Sequence, residues 1–469
     1  MAAMESGTKT SAQQLITDAL AAATLPVTVL VRETYQANLR WANNQLTTNG
    51  QMHGRDLTVI SFAEVTGGTA AGVISRQAGD DHDVAGQVAA AERSARASAA
   101  ADDAAEPLPA GEPDADFDEP PAGTDIDVFT AVAPALGDAF RQAGDEGRLL
   151  FGFAEHIVTT SYLATGDGLR RRSVQQSGRL ELNAKTADLT ASAWIGAATA
   201  DFSDLDVPGL VAEVNQRLGW HANPVDLPPG RYETILPPGA IADLMIYAYW
   251  TAGARAAEEG RNVYSNKQGG TRIGQRLSEL PITLASDPAA PGIECDPFVI
   301  TGRSGENSSV FDNGMPLSRT EWVKDGVLNE LIRTRAWAAR SASGRPAVAE
   351  IDNLIMDGGG TATIEEMIAG TERGLLLTCL WYIREVDPQT LLLTGLTRDG
   401  VYLIENGKIT GAVNNFRFNE SPVDLLSRIT EVGRSEKTLC REWNDWFTRT
   451  VMPPVRVPDF NMSTVSQAR

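Results

Sequence analysis

The chain has 469 residues, 42% of them hydrophobic and 22% charged, with 40 Lys and Arg against 61 Asp and Glu, a formal net charge of −21. At about 150 residues per domain, this length predicts two or three domains with a sizeable core. The acidic balance argues against a general nucleic-acid binder, whose footprint would be a basic patch, and no stretch approaches the ~18 uninterrupted apolar residues of a membrane-spanning helix.

In chain order, the first residues, with Glu5 and Lys9, lack the basic-then-apolar pattern of a signal peptide. A helix follows over 11–23, with Ser11 as N-cap and Leu15, Ile16, Ala19 and Leu20 on one face. Strands are expected at 28–32, 38–41, 46–48 and 57–62, separated by turn signals that include Asn49-Gly50 and Gly67-Gly68. They lie too close together for crossover helices, so their pairing is antiparallel. An alanine-rich helix over 83–101 leads into 101–124, where eight acids interleave with five prolines and no basic residue occurs. Such a run is predicted to be a solvated loop with little burial, so that its deletion would leave the melting temperature nearly unchanged. An amphipathic helix is expected over 127–143. Strands then recur at 149–153, 157–164, 170–174, 179–184 and 189–196, with a hairpin turn at Gly166-Asp167-Gly168. A helix over 207–218 and a Pro-rich joint over 223–230 close this half.

Past the joint, a strand at 231–236 is stopped by Pro237-Pro238-Gly239. The helix predicted over 240–259 is apolar on most sides, which marks it as buried. Strands follow at 282–285, 298–301, 327–331, 374–383, 390–396, 401–405 and 408–414, with Asn406-Gly407 as a strong hairpin turn. The expected class is α+β, with an N-terminal antiparallel sheet and helices over 1–225 and a larger β-rich domain over 226–469.

Chemistry-bearing motifs are sparse. Asp357-Gly358-Gly359-Gly360 opens a helix but lacks the lysine of a phosphate-binding loop, and Thr363 with Glu366 reads as a capping box. Ser304 misses a G-x-S-x-G elbow by one position. Cys379 sits among alternating apolar residues and reads as a buried strand residue, and His156 as a core or strand-edge histidine. The three cysteines, Cys295, Cys379 and Cys440, are odd in number and widely spaced, which predicts no disulfide framework and a cytoplasmic setting. The four histidines are His53, His82, His156 and His221, so everything after residue 221 must work without imidazole. No HExxH, CxxC or other zinc-ligand spacing occurs.

The last third carries recognisable text: Gly374-Leu375-Leu376-Leu377-Thr378, Trp381-Tyr382-Ile383-Arg384-Glu385-Val386-Asp387-Pro388, Thr394-Gly395-Leu396-Thr397-Arg398-Asp399-Gly400 and Leu403-Ile404-Glu405-Asn406-Gly407-Lys408-Ile409. With Leu39-Arg40-Trp41-Ala42-Asn43-Asn44, Thr165-Gly166-Asp167-Gly168-Leu169-Arg170-Arg171-Arg172 and Val457-Pro458-Asp459-Phe460, it resembles the TldD/PmbA family of metallopeptidase-related proteins along nearly the whole chain. The resemblance implies a two-subunit peptidase acting on unfolded or short peptides. In that arrangement one subunit carries a zinc-binding HExxxH helix, and a TldE-like partner shares the fold without the ligands. The stretch matching that helix, Pro237 to Trp250, has no histidine and a single acid, Asp243, and no zinc-cysteine segment surrounds Cys440. This chain therefore resembles the metal-free member: it is expected to hold no catalytic residue and no cofactor, and to pair with an HExxxH-bearing subunit that supplies zinc.

Substrate-gripping groups are expected at Asn414, Asn415, Arg417, Asn419 and Glu420, which bring amide, guanidinium and carboxylate together in one short run. The same residues could equally be polar groups finishing a strand. Two other readings remain open: a self-sufficient hydrolase using Cys379 or carboxylate pairs, and a non-enzymatic scaffold of the same fold.

Overall fold

The computed structural model describes residues 10–467, and the expectation about a leader before Thr10 falls outside them. Helix α1 (Ala12–Ala22) begins where the Ser11 side chain accepts the Gln14 N–H. The first sheet follows, with strands β1 (Val27–Ala42), β2 (Gln45–Val65), β3 (Gly68–Gln77), β4 (Arg148–Thr165), β5 (Arg170–Thr186) and β6 (Ser192–Thr199). Their order is β3-β2-β1-β4-β5-β6, antiparallel throughout. Its helices are α1, α2 (Val84–Ala97), α3 (Ala133–Asp145) and α4 (Val207–Gly219).

The four short strands expected between 28 and 62 are two long ones. They turn at Asn43-Asn44, both in the left-handed region at φ 51° and 62°, which Asn tolerates better than most residues. Asn44 is held there by β4, accepting the Leu150 N–H at 2.6 Å and donating to the Arg148 carbonyl at 2.8 Å. Gly50, expected in the turn, pairs opposite Asn38 within β2. A long-range contact thus overrides the stronger local Asn-Gly signal.

Alternation along β1 divides the sheet's two faces. Val29 and Val31 pack under α1 and α2, and Leu39 and Trp41 under α3 and α4. Leu30 points the other way and meets Phe298, Val310 and Phe311 from the second half of the chain. The first sheet is therefore covered by helices on one side and by the C-terminal half on the other.

That half is built around helix α5 (Pro238–Trp250), buried on nearly every side. Its mean apolarity leaves no preferred face, so a surrounding core is the only place for it. The helix expected to run on to 259 breaks at Trp250, because Asn262 caps the Thr251 and Gly253 carbonyls and Ala252 and Ala254 bond Ile332. A ten-stranded sheet wraps part of this core. Its first strand, Leu380–Asp387, and its sixth, Arg373–Leu377, are joined by only Thr378 and Cys379. Three Cα steps span at most about 11 Å, so the sheet curls until those strand ends stand side by side. The single strand expected over 374–383 is therefore two, split at this crossing. A second, six-stranded sheet, which includes Thr283–Ser286, Leu354–Asp357 and Thr450–Met452, packs on the same core. The strand expected at 298–301 does not form, and Phe298 makes only an isolated bridge to Pro316. Among the described residues no helix is long and apolar enough to cross a membrane.

The acidic run over 101–124 contains no helix or strand, as expected, yet it is not loosely solvated. Phe117 is buried edge-on against Tyr162, whose hydroxyl donates to the Glu119 carbonyl at 2.7 Å. Asp114 accepts from Arg171 and from the Arg172 backbone, and Asp116 pairs with Arg172 at 2.7 Å. At its start, Asp103 accepts from Ser304 and Ser309, and the Glu106 carbonyl takes Arg335 at 2.8 Å. The segment is a strap that ties the first sheet to the C-terminal half. Its basic partners lie far away in sequence, which is why composition alone misreads it.

Candidate functional site

Helix α5 carries the position of greatest interest, Asp243, fully buried in mid-helix. Its carboxylate accepts the Glu442 N–H at 2.8 Å and the Arg441 N–H at 3.2 Å, and its backbone carbonyl takes the Trp443 indole N–H at 2.9 Å. Burial pushes this carboxyl up to about 8, against the two N–H groups that favour its ionised form.

The segment so anchored reaches in two directions. Arg441 lies between the rings of Trp381 and Trp194, 4.3 and 5.0 Å from their centroids, and donates to Glu181 on β5 at 3.2 Å. Glu442 accepts the Tyr382 and Ile383 N–H groups at 2.8 and 3.0 Å, holding Tyr382 in a left-handed conformation at φ 57°. Asp243 is thus the fixed point from which one loop clamps both the edge of the first sheet and the entry of the curled one. Only the helix was legible in sequence. The loop's anchors lie about 200 residues downstream, and no local pattern signals them.

Beside this junction lies a cavity of about 690 Å³ lined by Ser192, His221, Arg398, Asp399, Asn414 and Asn415. Ser192 donates to Asp399, a left-handed residue at φ 54°. Burial holds the His221 imidazole below its ordinary pKa against the pull of Asp399, and its Nε2 has no partner. Asn414 accepts the Leu227 N–H at 2.7 Å, and Asn415 accepts from Thr397 at 3.3 Å.

The five expected gripping residues do not converge on one cavity. Strand Phe416–Glu420 separates them: Phe416 and Phe418 face the core, and Arg417 faces solvent, where it contacts Thr394 at 3.3 Å. Asn419 and Glu420 line a different cavity of about 660 Å³. Glu420 is buried, pairs with Arg428 and accepts the Asn461 N–H at 2.7 Å.

Cys379 is buried at the strand crossing, where burial pushes its thiol well above the usual range. His156 is a core residue, with Nδ1 on Thr124 at 2.7 Å and Nε2 on the Ala200 carbonyl at 2.6 Å.

The zinc of the family that the sequence resembles can be tested against the groups at α5. Both Asp243 oxygens are spent on backbone N–H groups, and the Glu442 carboxylate is spent on the Tyr382 strand. Cys440 donates to the Phe447 carbonyl at 3.3 Å, and burial keeps it a thiol. Zinc needs three or four converging, deprotonated ligands. These groups do not fit it, and among the described residues no cluster of three His, Cys, Asp or Glu does.

No curated protein matches the chain in sequence. Among solved structures, TldE from Thermococcus kodakarensis superposes with a TM-score of 0.76 at 16% identity, over 96% of this chain and 99% of that one. Two proteins described as modulators of DNA gyrase, from Thermotoga maritima and Bacteroides thetaiotaomicron, superpose with TM-scores of 0.74 at 16% identity. They cover 96% and 97% of this chain, and 99% and 98% of their own lengths. Residues 229–464, half of the chain, match the model of the PmbA/TldA metallopeptidase C-terminal domain, and the chain therefore belongs to the metallopeptidase-related TldD/PmbA family.

Proposed function

We propose that this chain is the metal-free subunit of a two-subunit zinc peptidase, forming part of the chamber that admits unfolded or short peptides to a partner's active site. The observation that carries the reading is Asp243. On the helix that the resemblance matches to HExxxH, the one acid of α5 is committed to holding the 441–443 loop. The fold of the Thermococcus TldE supports the same assignment. Two large subunits can hide an active site from folded proteins and leave entry only to thin chains, which suits a peptide-processing role in the cytoplasm.

Reconstitution tests the proposal. The chain alone is expected to leave an unstructured peptide intact, and mixing it with an HExxxH-bearing subunit is expected to produce cleavage that a chelator stops. Zinc lowers the pKa of an attacking water, and the partner's helix would supply that site. Cys379→Ala is expected to hold the mixture's rate within a few-fold, whereas replacing the partner's first zinc histidine abolishes it. Chelator-resistant cleavage by the pure chain, lost in Cys379→Ala, would hand the case to a self-sufficient hydrolase. A complex that forms yet stays inactive would make the chain a scaffold.

A further inference from the structure

We propose that the 660 Å³ cavity beside Asn419 and Glu420 binds the carboxylates of an acidic peptide segment. The choice of a peptide rests on the chamber reading above; the choice of an anion rests on the cavity. Although the chain as a whole carries −21, five of the charged side chains lining this cavity are cationic and two anionic. Arg428 is neutralised by Glu420, Asp424 and Asp459, and Arg231 lies 3.5 Å from Asp459.

Lys267, Arg272 and Arg276 are different, because among the described residues none has a carboxylate partner. Arg272 donates to the Val263 carbonyl at 3.0 Å and to Gln275 at 3.2 Å. Arg276 donates to the Ser278 and Asp325 carbonyls at 3.1 and 3.3 Å. A guanidinium offers five N–H donors in a fork that matches a carboxylate, so most of this donor capacity is unspent.

The backbone presents these groups deliberately. Gly269, Gly270 and Gly274 sit at φ 99°, 74° and 88°, a conformation that disfavours any side chain. The Asn266 N–H bonds the Gly270 carbonyl at 2.9 Å, so the resulting tight turn carries Lys267 at the cavity wall. The exposed Gln268 amide lines the same cavity and can meet a peptide backbone. Guanidinium groups for carboxylates beside an amide for backbone suit an acidic peptide better than a simple inorganic anion. In a molecule otherwise strongly negative, fields are screened within about 10 Å, so the cationic wall attracts anions only locally.

The test uses the full chain alone and a labelled, unstructured peptide rich in Asp and Glu, followed by fluorescence anisotropy. The acidic peptide is expected to bind at least tenfold more tightly than its Asn/Gln counterpart, with affinity falling as salt rises. Lys267→Glu alone, at an exposed side chain that holds no other group, should weaken that preference with the melting temperature unchanged, and adding Arg276→Glu should abolish it. Capping the C-terminus as an amide is expected to leave the binding intact; binding lost on capping would assign the terminal carboxylate and overturn the proposal. Equal affinity for the acidic and neutral peptides, or an unaltered preference in the double variant, overturns the proposal. Neither partner nor cleavage enters this measurement, so its failure and that of reconstitution are distinguishable.

Discussion

Replacing Asp243 with Ala is expected to lower the stability of the chain by about 2–6 kcal/mol, at roughly 1–3 kcal/mol for each buried N–H left without an acceptor. Two backbone N–H groups, of Arg441 and Glu442, lose their acceptor in a site closed to water. The damage spreads, because the same loop holds Arg441 between two tryptophans and Glu442 on the Tyr382 strand. Protease cleavage within 439–449 should therefore become faster together with the loss in denaturation midpoint. Asp243→Asn keeps one acceptor and most of the volume, so it should lose less.

The pH dependence follows from the same residue. Its folded pKa of about 8 stands above the ~3.9 of an unfolded aspartate. The folded state then binds the proton more tightly, so the stability from this group is fully present below about pH 4 and is lost as pH rises through 8. Between pH 5 and 8, the denaturation midpoint of the native chain should fall relative to that of Asp243→Asn. Parallel curves would show that the carboxyl is ionised throughout this range.

Exchanging the strap over 102–121 for a Gly/Ser linker of equal length should lower the melting temperature by roughly 5 °C. Phe117 contributes roughly 1.5–3 kcal/mol of burial against Tyr162. Removal also strands the half-buried Arg171 and Arg172 and unties Arg335 from the Glu106 carbonyl. Phe117→Ala alone should account for a clear part of the loss. A melting temperature unchanged within a degree or two would restore the view of this segment as a solvated loop.

The contrast between strap and sheet shows what this sequence makes legible. Short-range devices appear in the structure where they were read. Ser11 caps α1, Thr363 and Glu366 form their reciprocal capping box at 3.3 and 2.9 Å, and Asn406-Gly407 turns its hairpin at φ 51° and 76°. Each depends on residues within three or four positions.

Features set by distant partners were not legible. Asn43-Asn44 turns because β4 holds Asn44, α5 stops because Asn262 and Ile332 claim its end, and the acidic run is ordered by arginines more than 50 residues away. The candidate site follows the same rule. Asp243 stood out as a lone acid on an apolar helix, but the loop that explains it is about 200 residues downstream. Asn414 to Glu420 looked like one cluster, whereas strand alternation sends its members to two cavities, the core and the solvent. The cationic loop around Lys267 and Arg276 is diluted by the chain's acidic total, so composition does not reveal it.

Metal content tests the central claim most directly. Purified alone and analysed for elements, the chain is expected to carry no stoichiometric zinc, since the groups around α5 are spent on backbone partners. Purified with an HExxxH-bearing subunit, the pair is expected to hold one zinc, which leaves with that subunit when the two are separated. One tightly held zinc per chain in the isolated protein would contradict the account.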